Sequence, residues 1–389
     1  MLQIWYAILG LFRAAAFNGR QVCTKRKFVL ANAYLFGYHD EDIDGVQNQP
    51  RNPNKRSLAV ISPIKTLYKR LNAIGFNRQF VQEYILPDWW DDTLSDVPSN
   101  LAIAELAIAR HLGFRIDALH DPKVNLSLPP VGNFRLKRNK NVEVSEVHPS
   151  IVIASRAAEL VASIAEQLPV PNLAQDAKAI RREILAKNKS VDLAGLVREC
   201  WSRGVVVLHI AKLPKGAKKF DGVAMFWRDR PVIVLASARK GPPWLAFHLA
   251  HEMGHLCSGH VKPGDPPLVD ADISFVDNDE QEQEANKFGC AVLTGPLTCQ
   301  ISGGEKLKGD ILAEWAKKIG EQHGVDPGTV VLCSARETSN WGAAQLALKC
   351  LDRDEGAHAV IAAEFKKRLG GIELIDSTER FLGILSTSS

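Results

Sequence analysis

The chain has 389 residues, a length at which a single hydrophobic core usually gives way to two or three domains. Hydrophobic residues make up 46% and charged residues 24%, a balance that excludes a disordered chain, a collagen-like repeat and a coiled-coil rod. The net charge is only +4, but residues 1–140 contain 19 Lys and Arg against 12 Asp and Glu. This uneven distribution indicates a nucleic-acid-facing module joined to a slightly acidic second part.

The cysteine content favours a reducing compartment. There are seven cysteines, an odd number, and no C-x-x-C pair occurs in the sequence. The apolar segment 1–17 lacks the positively charged start of a signal peptide, and it is too short to span a bilayer. We therefore expect a cytoplasmic protein with no membrane partner.

Turn-rich stretches and apolar periodicity predict the secondary structure in chain order. A polar stretch over 40–56 predicts a loop, residues 62–119 are expected to be largely helical, and 121–148 is loop-like. Further along, helices are predicted at 150–167, 173–187 and 193–202, a strand at 205–210, and a hairpin at 222–227 and 232–237. Pro243 opens another helix, and helices return at 311–322 and 354–369. The pattern predicts an α+β fold.

The same pattern predicts five segments. An N-terminal extension and linker occupies 1–57, a helical domain 58–122, and a second linker 123–149. A domain that mixes strands with helices follows at 150–351, and a helical C-terminal tail at 352–389.

His251-Glu252-Met253-Gly254-His255 forms an H-E-x-x-H motif in apolar surroundings. Because residues four apart lie on one face of an α-helix, both imidazoles can bind one cation. Glu252 follows the first histidine, so its carboxylate points beside the metal, where it can take a proton from the water that attacks a peptide carbonyl. The motif therefore predicts a Zn²⁺ site with His251 and His255 as ligands and Glu252 as the catalytic base.

A catalytic zinc needs a third protein ligand, and the nearby histidines are poor candidates. His260 lies five residues beyond His255, which is about 500° of helix rotation and well off the ligand face. His248, three residues before His251, is more typical of a partly buried neighbour than of a ligand.

The stronger candidates are acidic residues on the next predicted helix. Glu282 shares the face of an apolar helical stripe, whereas Glu284 points toward its flank. Helix geometry therefore favours Glu282 as the third ligand and leaves Glu284 as the alternative. Asn286, four residues after Glu282, is expected to orient a ligating imidazole by a hydrogen bond.

The run 247–255, preceded by a hairpin and followed by Glu282-Gln-Glu-Ala-Asn286-Lys-Phe288, resembles the ImmA/IrrE family of zinc metallopeptidases. The resemblance covers about residues 205–351. It implies a small zincin-like domain with a short β-sheet, an H-E-x-x-H helix and a Glu-bearing helix. It also implies His251, His255 and Glu282 as zinc ligands, with Glu252 as the base. Two departures, at Gly289 and at 293–296, bear on substrate fit rather than on metal binding.

Members of this family are often fused to, or encoded beside, helix-turn-helix proteins of the Xre type. Residues 104–119 resemble the last helices of such a domain, and 74–80 an earlier turn, within the predicted helical domain 58–122. A recognition helix needs polar or basic residues at its exposed start. The candidates for DNA contact are Asn77, Arg78, Gln79 and Gln82. The acid-flanked pair Trp89-Trp90 is instead more typical of a core or a protein-contact surface.

The resemblance implies an endopeptidase that cleaves a regulatory protein such as an Xre-type repressor, with DNA as a second partner of the N-terminal domain. The alternative is a DNA-binding transcription regulator or toxin–antitoxin component that uses the zinc domain for sensing. Residues 265–284 contain eight acids and no Lys or Arg. Such a run usually forms a solvated loop, although it would also favour a basic protein partner.

Overall fold

The structure is a computed structural model that describes residues 62–129, 134–137, 144–165, 168–173, 176–271, 273, 279–301, 303–304, 306–374 and 376–386. The predicted extension 1–57, including the apolar segment 1–17, lies outside these residues. The chain divides into two compact units, Met1–Ala59 and Val60–Ser389, and all the structure described below belongs to the second.

The described chain begins with short helices, as the periodicity predicts. Helix α1 is Pro63–Ala73, and the short helix α2, Arg78–Phe80, continues as a π-helix over Val81–Ile85. A 3₁₀ turn at Asp92–Asp96 leads to helices α3, Pro98–Leu112, and α4, Ile116–His120. Helix α3 ends at Gly113, whose φ of +77° is the left-handed conformation that commonly terminates a helix.

A single carboxylate, that of Asp92, organises the predicted DNA-contacting segment. Its Oδ1 accepts hydrogen bonds from the Tyr68 hydroxyl at 2.8 Å, Trp90 Nε1 at 3.0 Å and Gln82 Nε2 at 3.1 Å. Its Oδ2 lies 2.6 Å from Nη2 of Arg78. Two of the four candidate DNA contacts therefore bind a carboxylate of their own chain.

The other two candidate residues differ in their surroundings. The side-chain oxygen of Asn77 accepts a hydrogen bond from the backbone N–H of Lys215 at 2.8 Å, whereas Gln79 is exposed. Trp89 is 49% exposed. DNA binding and the Xre-like helix-turn-helix both stay predictions.

The rest of the described chain mixes helices with short strands. The helices α5 to α14 are Val144–Ile164, Ala177–Leu185, Leu193–Ser202, Pro242–Cys257, Glu280–Thr294, Gly309–His323, Pro327–Thr338, Trp341–Cys350, Ala357–Leu369 and Asp376–Leu382. The strands β1 to β5 are Arg135–Lys137, Val206–His209, Gly222–Trp227, Arg230–Leu235 and Leu268–Asp270. The mixed α+β class is confirmed.

The five strands form one mixed sheet in the order β1-β5-β3-β4-β2. Strands β3 and β4 form the predicted antiparallel hairpin, but β4 begins at Arg230, so the turn is shorter than the sequence suggested. Strand β5 pairs antiparallel with β3 and parallel with β1. Two elements therefore fall inside the predicted linker 123–149, namely β1 and the first turns of α5. The domain boundaries themselves stay predictions.

Helix α5 is long and apolar enough to cross a membrane by length and composition. However, 61% of its most apolar window is buried inside the protein, and the helix packs against β2, β3 and β4. Its hydropathy is therefore accounted for by its place in the core beside the sheet.

One buried guanidinium connects three helices. Arg181 on α6 is only 7% exposed, and its Nη1 donates to the carbonyl oxygens of Val292 and Leu293 at 3.0 and 2.7 Å, at the end of α9. Its Nη2 donates to those of His323 and Gly324 at 2.5 and 3.0 Å, at the end of α10. Because the last carbonyls of a helix have no partner within the helix, Arg181 satisfies the buried carbonyls of Val292 and Leu293 at the end of α9.

We predict that Arg181→Met lowers the free energy of unfolding by about 2–4 kcal/mol, since the buried carbonyl oxygens of Val292 and Leu293 lose a charged donor. Urea denaturation measures the difference. The matched control is Arg182→Met, because Arg182 is the exposed neighbour on the same helix and its loss should change stability by less than about 0.5 kcal/mol. Equal effects of the two substitutions would contradict this account.

Candidate metal centre

Three elements carry the candidate site: helix α8, helix α9 and strand β5. Helix α8 opens with Pro242 and Pro243, where a missing N–H costs no helix hydrogen bond, and it is buried along most of its length. Helix α9 opens after Asp279, whose carboxylate accepts hydrogen bonds from the N–H groups of Gln281 and Glu282. This cap fixes the first turn of α9, which carries Glu282.

Small residues let the two helices approach closely. A Cβ atom added to Gly254 of α8 would lie 2.9 Å from Cα of Ala285 on α9. A Cβ added to Gly289 would lie 3.3 Å from the backbone nitrogen of His251. The glycine at 289, a departure from the resembled pattern, therefore stands directly against the backbone of a predicted ligand. Glu282 can lie beside both imidazoles because the helix backbones are this close.

The structure brings the three predicted ligands together. The Nε2 atoms of His251 and His255 lie 3.0 Å apart. Carboxylate oxygens of Glu282 lie 3.3 Å from Nε2 of His251 and 3.6 Å from Nε2 of His255. All three side chains are buried. These donors can bind one metal ion, which is the arrangement expected from the H-E-x-x-H spacing.

A fourth donor, Asp270, was missed by the sequence analysis. Its Oδ2 lies 3.6 Å from Nε2 of His251 and 3.5 Å from Nε2 of His255, and the four donor atoms all lie within 4.8 Å of one another. Asp270 stands in the acidic run 265–284, for which the charge pattern predicts a solvated loop. The signal that could have revealed it is the apolar pair Leu268-Val269 before it, which forms strand β5.

The charges of the site agree with a cation-binding role. Burial alone would lower the pKa of His251, but Asp270 and Glu282 outweigh burial and raise it to about 9. Burial alone would likewise raise the pKa of Glu282, but the two imidazoles outweigh it and hold that pKa below its usual range. The two carboxylates thus favour a positive charge beside the two imidazoles. The nitrogen and oxygen donors of these four side chains suit Zn²⁺.

Outer contacts orient both imidazoles. Nδ1 of His251 lies 3.1 Å from Oδ1 of Asn286, as the sequence analysis expected. Nδ1 of His255 lies 2.9 Å from Nδ1 of His260, whose Nε2 lies 3.1 Å from a carboxylate oxygen of Glu284. If Nε2 of His255 binds a metal, its Nδ1–H can donate to His260, whose Nε2–H then donates to Glu284.

Glu284, the alternative third ligand, is therefore placed away from the donor cluster. Its side chain is 61% exposed, and its carboxylate contacts His260 rather than the two H-E-x-x-H imidazoles. His248 is also outside the donor set, with Nδ1 3.7 Å from a carboxylate oxygen of Asp221.

Glu252 lies beside the donors, and its carboxylate occupies space next to Gly222 that any larger side chain would fill. Glu252 is fully buried. A Cβ added to Gly222 on β3 would lie 2.0 Å from Oε1 of Glu252. Burial, followed by the charges of Asp270 and Glu282, raises the pKa of Glu252 well above its usual value.

We predict that Asn286→Ala weakens zinc binding by about 10–100-fold, because His251 loses the acceptor that orients its ring. Competition with a chromophoric chelator measures the affinity. Lys287→Ala is the matched control, since Lys287 is exposed on the same helix and should leave the affinity unchanged. An unaltered affinity in Asn286→Ala would show that this contact does not position a ligand.

The comparison with known families agrees with this geometry. The family model described as Peptidase_M78, IrrE N-terminal-like domain, matches residues 202–294. The matched range contains strands β2 to β5, both helices that carry donors, and Glu252. No curated protein is similar enough in sequence to this chain to count as a match. The match supports the ImmA/IrrE resemblance, and with it a metal-dependent peptidase, for this part of the chain.

Proposed function

We propose that the protein is a zinc-dependent endopeptidase that cleaves a regulatory protein. The observation that carries this proposal is the convergence of His251, His255 and Glu282 next to the buried carboxylate of Glu252. The match to a peptidase family over the same residues supports it independently. Zinc, when bound, acts as a Lewis acid that acidifies water and polarises a peptide carbonyl.

Side chains of this protein would bind the ion, orient its ligands and transfer the proton. His251, His255 and Glu282 would hold the ion, while Asn286 and His260 orient the imidazoles. Glu252 takes a proton from the attacking water and returns it to the leaving amine. A pKa raised by burial and by neighbouring carboxylates suits a group that both accepts and returns a proton.

The surface near the site supports a basic protein substrate. Three acids from the run 265–284 are exposed beside the elements that carry donors: Asp265 before β5, and Glu280 and Glu284 on α9. Two exposed lysines, Lys262 and Lys287, lie near them, so the surface keeps a small acidic excess that favours positive charge. A DNA-binding repressor of the Xre type, the partner that the resemblance implies, has the matching basic chemistry.

We predict that Glu252→Gln abolishes cleavage of a co-expressed Xre-type repressor but retains bound zinc. The amide keeps the shape of the side chain but cannot take the proton, so the rate should fall by about 100-fold or more. Gel analysis of the repressor and metal analysis of the purified protein give the two readouts. Equal cleavage by both proteins, or a purified wild type that holds no zinc, would overturn the proposed mechanism.

We predict a similar loss of activity for Gly222→Ala, which changes no proposed ligand and no catalytic group. The added methyl group occupies the space of the Glu252 carboxylate, so the base is displaced while metal content is preserved. Cleavage should fall by about 100-fold. The matched control is Gly342→Ala on α12, where an added Cβ meets no atom within 4 Å. Full activity in Gly222→Ala would show that the close approach is not needed.

A further inference from the structure

Asp270 and Glu282 are placed equivalently with respect to the two imidazoles. The Asp270 carboxylate lies 3.6 and 3.5 Å from the Nε2 atoms of His251 and His255, and the Glu282 carboxylate lies 3.3 and 3.6 Å from them. Asp270 is 1% exposed and Glu282 is 4% exposed. The geometry that makes Glu282 a ligand therefore applies to Asp270 as well.

Five of the six separations between the donors are close to those of a tetrahedral shell. Zinc bonds to nitrogen and oxygen are about 2.0–2.2 Å long, so two corners of a tetrahedral shell are about 3.3–3.6 Å apart. The five separations among His251, His255, Glu282 and Asp270 given above range from 3.0 to 3.6 Å. The four donors are thus close to the spacing of a four-coordinate shell, and the sixth separation, between the two carboxylates, is at most 4.8 Å.

The backbone holds Asp270 in this position. Strand β5 lies between β3 and β1, and Asp270 stands opposite Gly222 on one side and Lys137 on the other. Its carbonyl oxygen also accepts a hydrogen bond from the N–H of Asp221 at 2.9 Å. Asp270 is thus part of a paired strand, and its carboxylate is presented to the imidazoles by the sheet itself.

We propose that Asp270 is a fourth protein ligand of the bound metal and that the structure is a closed, latent state of the peptidase. Catalytic zinc sites have three protein ligands and keep one position open, whereas four protein ligands are typical of closed sites. The Asp270 carboxylate must leave before water and substrate can enter. This inference rests on the proposed function, because latency has a meaning only for an enzyme.

Cobalt-substituted protein tests the inference without any cleavage assay. The d–d absorption spectrum of Co²⁺ reports the number of ligands, and azide, a small anion, binds far more readily at an open coordination position than as a fifth ligand. Wild type, Asp270→Ala and the shape-matched Asp270→Asn are titrated with azide, and zinc affinity is measured by chelator competition. Glu280→Gln is the matched control, since Glu280 is an exposed carboxylate in the same first turn of α9 as Glu282 and lies outside the donor set.

We expect azide to leave the wild-type and Glu280→Gln spectra unchanged and to shift the spectra of both Asp270 variants. We also expect those variants to bind zinc at least about 10-fold more weakly, since they lose a direct ligand. Azide binding by the wild type would overturn the inference by itself, whether or not the variants fold. A spectrum and zinc affinity that Asp270→Ala leaves unchanged would overturn it as well.

A parallel cleavage assay with unfolded casein separates this inference from the proposed function. If azide binding follows the expected pattern but neither wild type nor Asp270→Ala cleaves casein or the repressor, the fourth ligand stands and the peptidase proposal fails. If the wild type binds azide and cleaves, the peptidase stands and the closed state fails. A wild type that binds no metal overturns both.

Discussion

Three carboxylates buried around two imidazoles are the constraint on which this part of the protein depends. Glu252, Asp270 and Glu282 are each at most 4% exposed. Removing an ionised carboxylate from water costs several kcal/mol unless a positive charge or a proton compensates it. Despite burial, the carboxylates of Asp270 and Glu282 raise the pKa of His251 to about 9. A bound divalent cation would compensate the negative charge of these buried carboxylates with two positive charges.

The packing of the backbone around these groups is unusually close, and small residues make it so. Gly254 and Ala285 allow helix α8 to contact helix α9, Gly289 lies against the backbone of His251, and Gly222 makes room for the Glu252 carboxylate. Each of these positions lies on an element that carries a donor or faces one. The missing side chains at these glycines are therefore as important to the site as the donors. A methyl group at any of them would push the two helices, or the Glu252 carboxylate, away from the donor cluster.

The parts of the site that depend on local helical periodicity were predictable from the sequence. The H-E-x-x-H spacing predicted that His251 and His255 face one point, and the apolar stripe on the next helix predicted that Glu282 joins them. Asp270 could not be found this way, because its position depends on the pairing of β5 with β3 and with β1, which are distant in sequence. A strand of three residues also carries too little alternation to be recognised within an acidic run. The α+β class was predictable for the same local reasons, whereas the strand order was not.

The place of β1 in the sheet has a consequence for any shortened form of the protein. Arg135–Lys137 is hydrogen-bonded to the strand that ends in Asp270, although it precedes the predicted start of the peptidase domain at residue 150. A fragment that begins at 150 would leave the outer edge of β5 as a row of unpaired backbone N–H and C=O groups. Such an edge is a template for pairing with other chains, so the fragment would tend to self-associate. The basic front part of the chain therefore contributes the edge strand that covers the strand carrying Asp270.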